Sequence, residues 1–485
     1  MNRGRRMREM LQYVARFGLV GAALVAPWLF GAYSAWAYLL ICLVVMVATG
    51  SWLLQVVLHP RARLRFPLTT LFLVLILGLT ALQIVPLPAS FVKTVAPRSA
   101  AIQQEQARLF REMEMSEFLP GAGEPEDAMT LSTAPASTRH SLFIITAFVS
   151  AFVVAANSFR KWEQLRGPLM GLVISGFAMA VLGIIHEFSG SSRVLWFHET
   201  HFGGSIFGPF ANPNHYATFM NLMFGLTVGF VLAEMRGSPL RTLDSWREKV
   251  SWMSGGKANR IAFVAFAAAV MGASVFVSLS RGGIVCLMLA VAVLVLWAGW
   301  RSAESGSGPR IAAVALLVLA VVTWLGWNPV VRELSTLADV APAREGRTVA
   351  SLATLEMFGT SPVLGYGFGS FAHVFPIFQR PAVQTGRWLH AHNEYAQLLA
   401  EGGLIGTGLV LCAVAAFLWE VYRNWDRAAE RGRLLALGLG VGFVATALHS
   451  AISFGLRSPA MALFLAVTAG LCAAGCHLRK RRRRE

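Results

Sequence analysis

Charge is scarce in this chain. Asp, Glu, Lys and Arg make up 14% of its 485 residues, where soluble domains carry about a quarter. Acid is the scarcer sign, with 25 Asp+Glu against 42 Lys+Arg and a formal net charge of +17. Cysteine is rare too. The five (Cys42, Cys286, Cys412, Cys472 and Cys476) all fall inside long apolar runs, so they read as small packing residues and imply no disulfide. There is no P-loop and no GxGxxG placed between a strand and a helix. The glycine-rich stretch GYGFGSF at Gly365–Phe371 has no strand before it and reads as a turn-rich loop. These absences argue against a soluble enzyme, a disulfide scaffold and a nucleotide-binding protein. What is present is apolar. Hydrophobic residues make up 55% of the chain and the mean hydropathy is +0.57, which excludes a disordered chain and points to lipid as the main solvent.

Apolar runs long enough to cross the hydrocarbon as helix occur at twelve places: 17–33, 36–58, 66–86, 141–158, 168–187, 215–234, 261–279, 284–300, 311–327, 404–422, 434–454 and 459–477. They are continuous rather than alternating, which excludes an outer-membrane barrel. The expectation is therefore an all-α polytopic membrane protein of about twelve spans, forming one membrane domain over 1–485. If the N-terminus is cytoplasmic and sides alternate, the cytoplasmic segments hold 29 of the 42 Lys and Arg. This asymmetry sets orientation and places both termini in the cytoplasm. The start, MNRGRRMREM, resembles the n-region of a signal peptide, but no clean cleavage pattern follows, so the first span is expected to be retained. The basic tail Arg479–Arg484 has no interleaved aromatics. It reads as a clamp on anionic membrane lipids rather than a nucleic-acid arm.

Three segments on the opposite side are longer than connections need. Residues 87–140 are polar, with an acidic stretch from Glu112 to Asp127, and their role is open. Residues 188–214 and 328–403 are rich in aromatics, His and Gly; the latter is the largest loop and is expected to contain short helices. Chemistry is expected on that face. Arg281 stands in SLSRGG between two spans, where an arginine is either functional or snorkelling. Gly282 and Gly283 beside it allow close approach. Val349, Leu352, Leu355 and Met357 form a rough helical stripe that puts Arg347 in a first turn, with Arg344 as an adjacent competitor. A cation is unwelcome at a helix N-terminus, which favours a ligand role over a solvated loop arginine. In WLHAHNEYAQLLAEGGLIG, Glu394–Glu401 reads as a helix with Asn393 as N-cap and Gly402-Gly403 as its stop. His392 then sits beside a helix N-terminus, which disfavours the imidazolium and suits a general base; the competing role is a cap or core histidine. His390 and Asn393 join it as candidate substrate-binding residues. In GPFANPNHY, Asn214 reads as a cap, with Asn214 and His215 as candidate hydrogen-bonding groups for a sugar or headgroup. A metal held by His198, Glu199, His201, His390 and His392 is the weaker alternative, since HETH is not the HExxH motif. No metal or other cofactor is expected.

Taken together, GPFANPNHYA, SLSRGG, an Arg ahead of SPVLGYGFGSF, HAHNEYAQLLAEGGLIG and HSAISFGLRSPA (His449–Ala460) resemble the O-antigen ligase and polymerase family of bacterial inner-membrane proteins. The resemblance implies a multi-helix, metal-independent glycosyltransferase working at the periplasmic face. Its donor would be a glycan on undecaprenyl diphosphate. Its acceptor would be the lipid A core, another lipid-linked repeat, or protein. The family's functional arginines carry over to Arg281 and Arg347, and its loop histidine to His392. One departure is that Ser453 stands where relatives commonly carry Asp. The chemistry of the residues agrees. Guanidinium forks suit a diphosphate leaving group, an imidazole can take the acceptor proton, and in-line attack inverts the anomeric centre. A lipid-linked oligosaccharide flippase is the main rival, and a non-catalytic scaffold a weaker one. The spans are nearly free of central charges, which suits an enzyme better than a transporter.

Overall fold

The computed structural model describes residues 3–58, 64–112, 127–199, 206–236, 245–302, 341–380 and 387–478. It is mostly helical. In chain order the helices are α1 (Arg3–Val25), α2 (Ala35–Val57), α3 (Pro67–Leu82), α4 (Ala89–Val95), α5 (Pro97–Glu112), α6 (Pro135–Ser158), α7 (Trp162–Phe188), α8 (Pro213–Met235), α9 (Trp246–Met253), α10 (Gly256–Val277) and α11 (Arg281–Ser302). They continue with α12 (Ala341–Thr360), α13 (Phe371–Val374), α14 (Glu394–Asn424), α15 (Glu430–Ser450) and α16 (Pro459–Cys476). Among the described residues, nine helices are long and apolar enough to cross a membrane. Two further expected spans are shorter as helix: α3 has 16 residues, and the apolar described part of α11 ends at Val293. The span expected at 311–327 lies outside the described residues. The protein is a multi-pass membrane protein.

The chain divides into two compact units that no shift in composition announces. The first comprises Met1–Phe66, Ser150–Ala338 and Val421–Glu485. Its centre is α8, of whose apolar window 89% is buried. Lipid tails are as apolar as leucine, so helices in a membrane associate through close van der Waals packing of small residues. Here α8 and α15 do so by glycine. A Cβ on Gly225 would stand 2.6 Å from the Gly438 carbonyl oxygen, and one on Gly229 would stand 2.7 Å from that of Leu435. By contrast, α2 keeps Trp36, Leu39, Leu43, Val47 and Leu54 exposed. Apolar side chains facing outward belong on a helix bathed in lipid.

The second unit comprises Pro67–Val149 and Asp339–Glu420. Glu420 is buried and caps α3, accepting from the backbone N–H of Leu68 (3.0 Å) and Thr69 (3.1 Å). The 87–140 segment is folded into this unit, apart from residues 113–126, which are not described. Leu87–Pro88 and Ala128–Met129 form a two-residue antiparallel ladder, a small departure from an all-helical expectation. Val92, Ala96 and Ala100 pack on Met129 and Leu131. Ile102 of α5 joins Ala350, Ala353 and Met357 of α12, Tyr366, Phe371, Phe375, Ala391 and Ala400 in one buried cluster.

Candidate active site

The second unit holds its candidate residues around the start of α14. Asn393 is the N-cap as the sequence indicates, its Oδ1 accepting from the backbone N–H of Tyr395 and Ala396, each at 3.1 Å. The helix breaks at Gly403, whose φ of 61° and ψ of −165° leave the helical region. The GYGFGSF loop lies against that break. Gly365, Gly367 and Gly369 all have positive φ, and a Cβ on Gly365 would stand 2.5 Å from the backbone carbonyl of Glu401. Backbone N–H groups of Tyr366 and Gly367 donate to the Ala400 and Glu401 carbonyls at 3.0 and 2.9 Å. The glycines thus serve close backbone docking rather than phosphate binding.

A buried polar chain runs from this break to the histidine loop. Glu401 is fully buried; its Oε1 accepts from Gln397 Nε2 at 3.1 Å and from the Phe371 N–H at 3.3 Å. Gln397 Oε1 in turn accepts from the Ala391 N–H at 3.1 Å. The Ala391 carbonyl accepts from the Ser351 hydroxyl of α12 at 3.3 Å. Ala391 is therefore held on both sides, and the next residue, His392, is locked at a φ of 55°. Left-handed backbone costs a non-glycine residue about 1–2 kcal/mol, so the surrounding bonds must sustain it. The ring of His392 meets Trp388 edge-on at 5.3 Å. Burial, and after it the positive charge of Arg347, pushes the imidazole down to about 4. Burial also lowers the Arg347 guanidinium from its ordinary value. Near pH 7 His392 is neutral beside a cation. His390 lies half-buried two residues earlier. The helix carrying Arg347 begins at Ala341, so Arg347 stands in the second turn, not the first, and the dipole argument for it lapses. The Arg344 side chain lies outside the described set.

The first unit carries Arg281 as the first residue of α11, after a turn in which Leu279 has a φ of 52°. Ser280 caps the helix, its Oγ accepting from the Gly283 N–H at 3.3 Å and donating to Asn214 Oδ1 at 2.7 Å. An arginine on a helix N-terminus adds its charge to the dipole, and an anion is welcome there. The cap of α8 is Asn212, not Asn214. Its Oδ1 accepts from the Asn214 N–H at 2.8 Å, and Pro213 fills the first helical position. Asn214 is then free of capping and binds Ser280 instead. His215 is buried, its Nδ1 within 2.7 Å of the Tyr33 hydroxyl. Gly282 and Gly283 are close-packed by protein: a Cβ on Gly282 would stand 2.5 Å from Ile452 Cδ1 and 3.0 Å from His449 Nε2, and one on Gly283 would collide with Ala217.

His449 is the residue that motif reading passes over. It is buried, with Nδ1 2.8 Å from the Thr218 hydroxyl. That hydroxyl donates its one proton to the Asn214 carbonyl at 2.8 Å, so His449 Nδ1 is the donor and Nε2, on the Gly282 side, is left as the acceptor. Its signal in the sequence is a histidine closing an apolar span, at the start of HSAISFGLRSPA. Gln397 and Glu401, an i,i+4 polar pair in an apolar helix, are the other two residues not foreseen. Among the described residues no group of three or more His, Cys, Asp and Glu comes together as a metal site. Glu199 pairs with Arg193 at 2.7 Å and His198 stacks on Phe30, while His201 lies outside the described residues.

No curated protein matches the chain. Residues 266–411, under a third of its length, match the family model described as O-antigen ligase. The matched stretch contains Arg281, Arg347, His390, His392 and Asn393 and stops short of Asn214, His215 and His449. Over that stretch the chain is similar to the O-antigen ligase family, and the nine membrane-length helices among the described residues are in keeping with the similarity.

Proposed function

We propose that this protein is a metal-independent, inverting membrane glycosyltransferase. It moves a glycan from undecaprenyl diphosphate to an acceptor hydroxyl at the periplasmic face of the bacterial inner membrane. The observation that carries the reading is the His392–Arg347 arrangement, an imidazole kept neutral by burial and by a neighbouring guanidinium. Arg347 supplies a planar fork of donors to oxygens of the donor diphosphate, and the same phosphate-binding role is proposed for Arg281. The acceptor oxygen attacks the anomeric carbon from the side opposite the phosphate. His392 takes the hydroxyl proton as the new bond forms. The C–O bond to the diphosphate breaks, and its electron pair leaves on the phosphate, where guanidinium charge meets it.

Arg347 gives this scheme an electrostatic order of events. With no donor bound, burial first and the charge of Arg347 after it hold the His392 pKa down. A diphosphate bound to Arg347 offsets the smaller, charge-derived part of that shift, and the imidazole becomes a stronger base as its proton-acceptor role begins. Asn214, His215, His390 and Asn393 are proposed to orient donor or acceptor.

The test is glycan transfer by the purified full-length protein in proteoliposomes, using a polyprenyl-diphosphate-linked oligosaccharide. Arg281→Ala, Arg347→Ala and His392→Ala are each expected to lose at least about 100-fold in turnover while inserting normally. Wild-type turnover in both arginine variants ends the diphosphate role, and unchanged turnover in His392→Ala across pH ends the base assignment. Lipid translocation by the wild type without transfer would favour a flippase. The glycan lost in a deletion strain separates the acceptors: long polymer for a polymerase, core-attached glycan for a ligase.

A further inference from the structure

Four helices of the first unit start or finish around a single cavity that the transfer chemistry does not use. It has a volume of about 340 Å³ and is lined by Trp162, Glu163, Arg166, Glu234, Lys257, Arg260 and Arg431. Trp162 and Arg166 open α7, Glu234 closes α8, Lys257 and Arg260 open α10, and Arg431 opens α15. Arg281 follows the far end of α10, about 33 Å away along a helix of 22 residues. The cavity thus sits at the opposite ends of these spans, among loops that hold much of the chain's Lys and Arg excess.

Four cations face two carboxylates here. Glu234 is buried and already engaged: its Oε2 lies 3.0 Å from both Arg166 Nη2 and Arg260 Nε, and its Oε1 accepts from Trp162 Nε1 at 3.1 Å. That arrangement fixes two guanidinium groups at the wall without using all their donors. The Arg431 guanidinium lies over the Trp162 ring, 5.8 Å from its centroid, which fixes a third. Lys257 and Arg260 stand three apart on one face of α10, so both cations are presented to the same cavity. Three helix N-termini, those of α7, α10 and α15, add positive dipole ends, against one C-terminal end from α8. A net cationic cavity at the ends of membrane-length helices has the chemistry of a phosphate receptor at headgroup depth.

We propose that this cavity binds the phosphate group of an anionic phospholipid headgroup, independently of the glycosyl-transfer reading. A free soluble phosphate presents the same chemistry, so the experiment separates the two sources. Full-length protein in neutral detergent is titrated with phosphatidylglycerol, phosphatidylcholine or inorganic phosphate, and bound lipid is read by native mass spectrometry. Phosphatidylglycerol is expected to be retained in preference to phosphatidylcholine. The double variant Lys257→Gln/Arg431→Gln, which spares the Glu234 pairs, is expected to retain it at least fivefold more weakly. Glu163→Gln removes a carboxylate from the wall and is expected to retain it more strongly, so the test survives if the double variant fails to fold. Competition by inorganic phosphate at millimolar concentration assigns phosphate recognition to a soluble source and overturns the lipid assignment. Equal retention of both lipids, or unchanged retention in both variants, overturns the proposal.

Discussion

The two units hold their candidate residues in opposite ways. In the first, Asn214, Ser280, Thr218 and His449 are joined by buried and part-buried hydrogen bonds of 2.7–2.8 Å, and Arg281 starts a helix wedged by Gly282 against Ile452. In the second, His392 stands in left-handed backbone, half-buried, its imidazole pushed down to about 4. The first arrangement is tied down by side-chain hydrogen bonds, with its left-handed residue, Leu279, in the turn ahead of Arg281. In the second, the left-handed residue is the histidine itself, and a guanidinium stands near it. Strain and shifted titration gather where a protein does work, so the proposed proton-handling step is placed on the histidine loop and the proposed anion contact on Arg281.

This contrast can be broken by substitution. The largest expected effect is on turnover: His392→Ala and Arg347→Ala lose about 100-fold or more, whereas His449→Gln, which keeps a polar group toward Thr218, loses under about tenfold. Comparable losses in His449→Gln would move the proton-handling role into the first unit. Next comes stability. Gly365→Ala puts a Cβ 2.5 Å from the Glu401 backbone at a φ of +65°, and at least about 2 kcal/mol of destabilisation is expected in chemical unfolding. Gly359→Ala, with open space around it, is expected to be neutral or stabilising.

The third prediction concerns pH. His392 titrates near 4 when folded and near 6.5 when unfolded. Between those values the unfolded chain binds a proton that the folded one does not. Its contribution to stability is therefore full above 6.5 and is lost as pH falls toward 4, by up to about 3 kcal/mol. His392→Gln is expected to flatten thermal stability over that window; an unchanged pH slope contradicts the shifted imidazole. The smallest effect is positional. Gln397→Leu removes the acceptor for the Ala391 N–H, and about a tenfold loss in turnover is expected together with a displaced acidic limb of the pH profile. A loss without any change in the profile would reduce Gln397 to packing.

Much of this was legible because it is local. Continuous apolar runs mark spans, an asparagine before a polar-apolar helix marks the Asn393 cap, and Gly402-Gly403 marks the break at Gly403. Errors of register came from competing local signals. Asn212 takes the cap of α8 because Pro213 must occupy the first turn, and Asn214 follows inside it. The start of α12 was hidden because its apolar stripe begins only at Val349, eight residues into the helix. The rest was illegible because it is non-local. Nothing within 87–112 says that Ile102 packs with Ala350 and Met357, far along the chain. Nothing beside His449 names Thr218 as its partner. Gln397 and Glu401 look like ordinary helix-surface residues until the folded loops supply the Ala391 and Phe371 N–H groups they receive.

The most direct test is the pH dependence of transfer by wild type and His392→Ala in proteoliposomes with a polyprenyl-diphosphate-linked glycan. The account predicts a wild-type acidic limb in kcat/KM governed by a group titrating near 4, a higher apparent value in kcat once the diphosphate neutralises Arg347, and loss of turnover in the variant. A variant that turns over like wild type with the same acidic limb contradicts it.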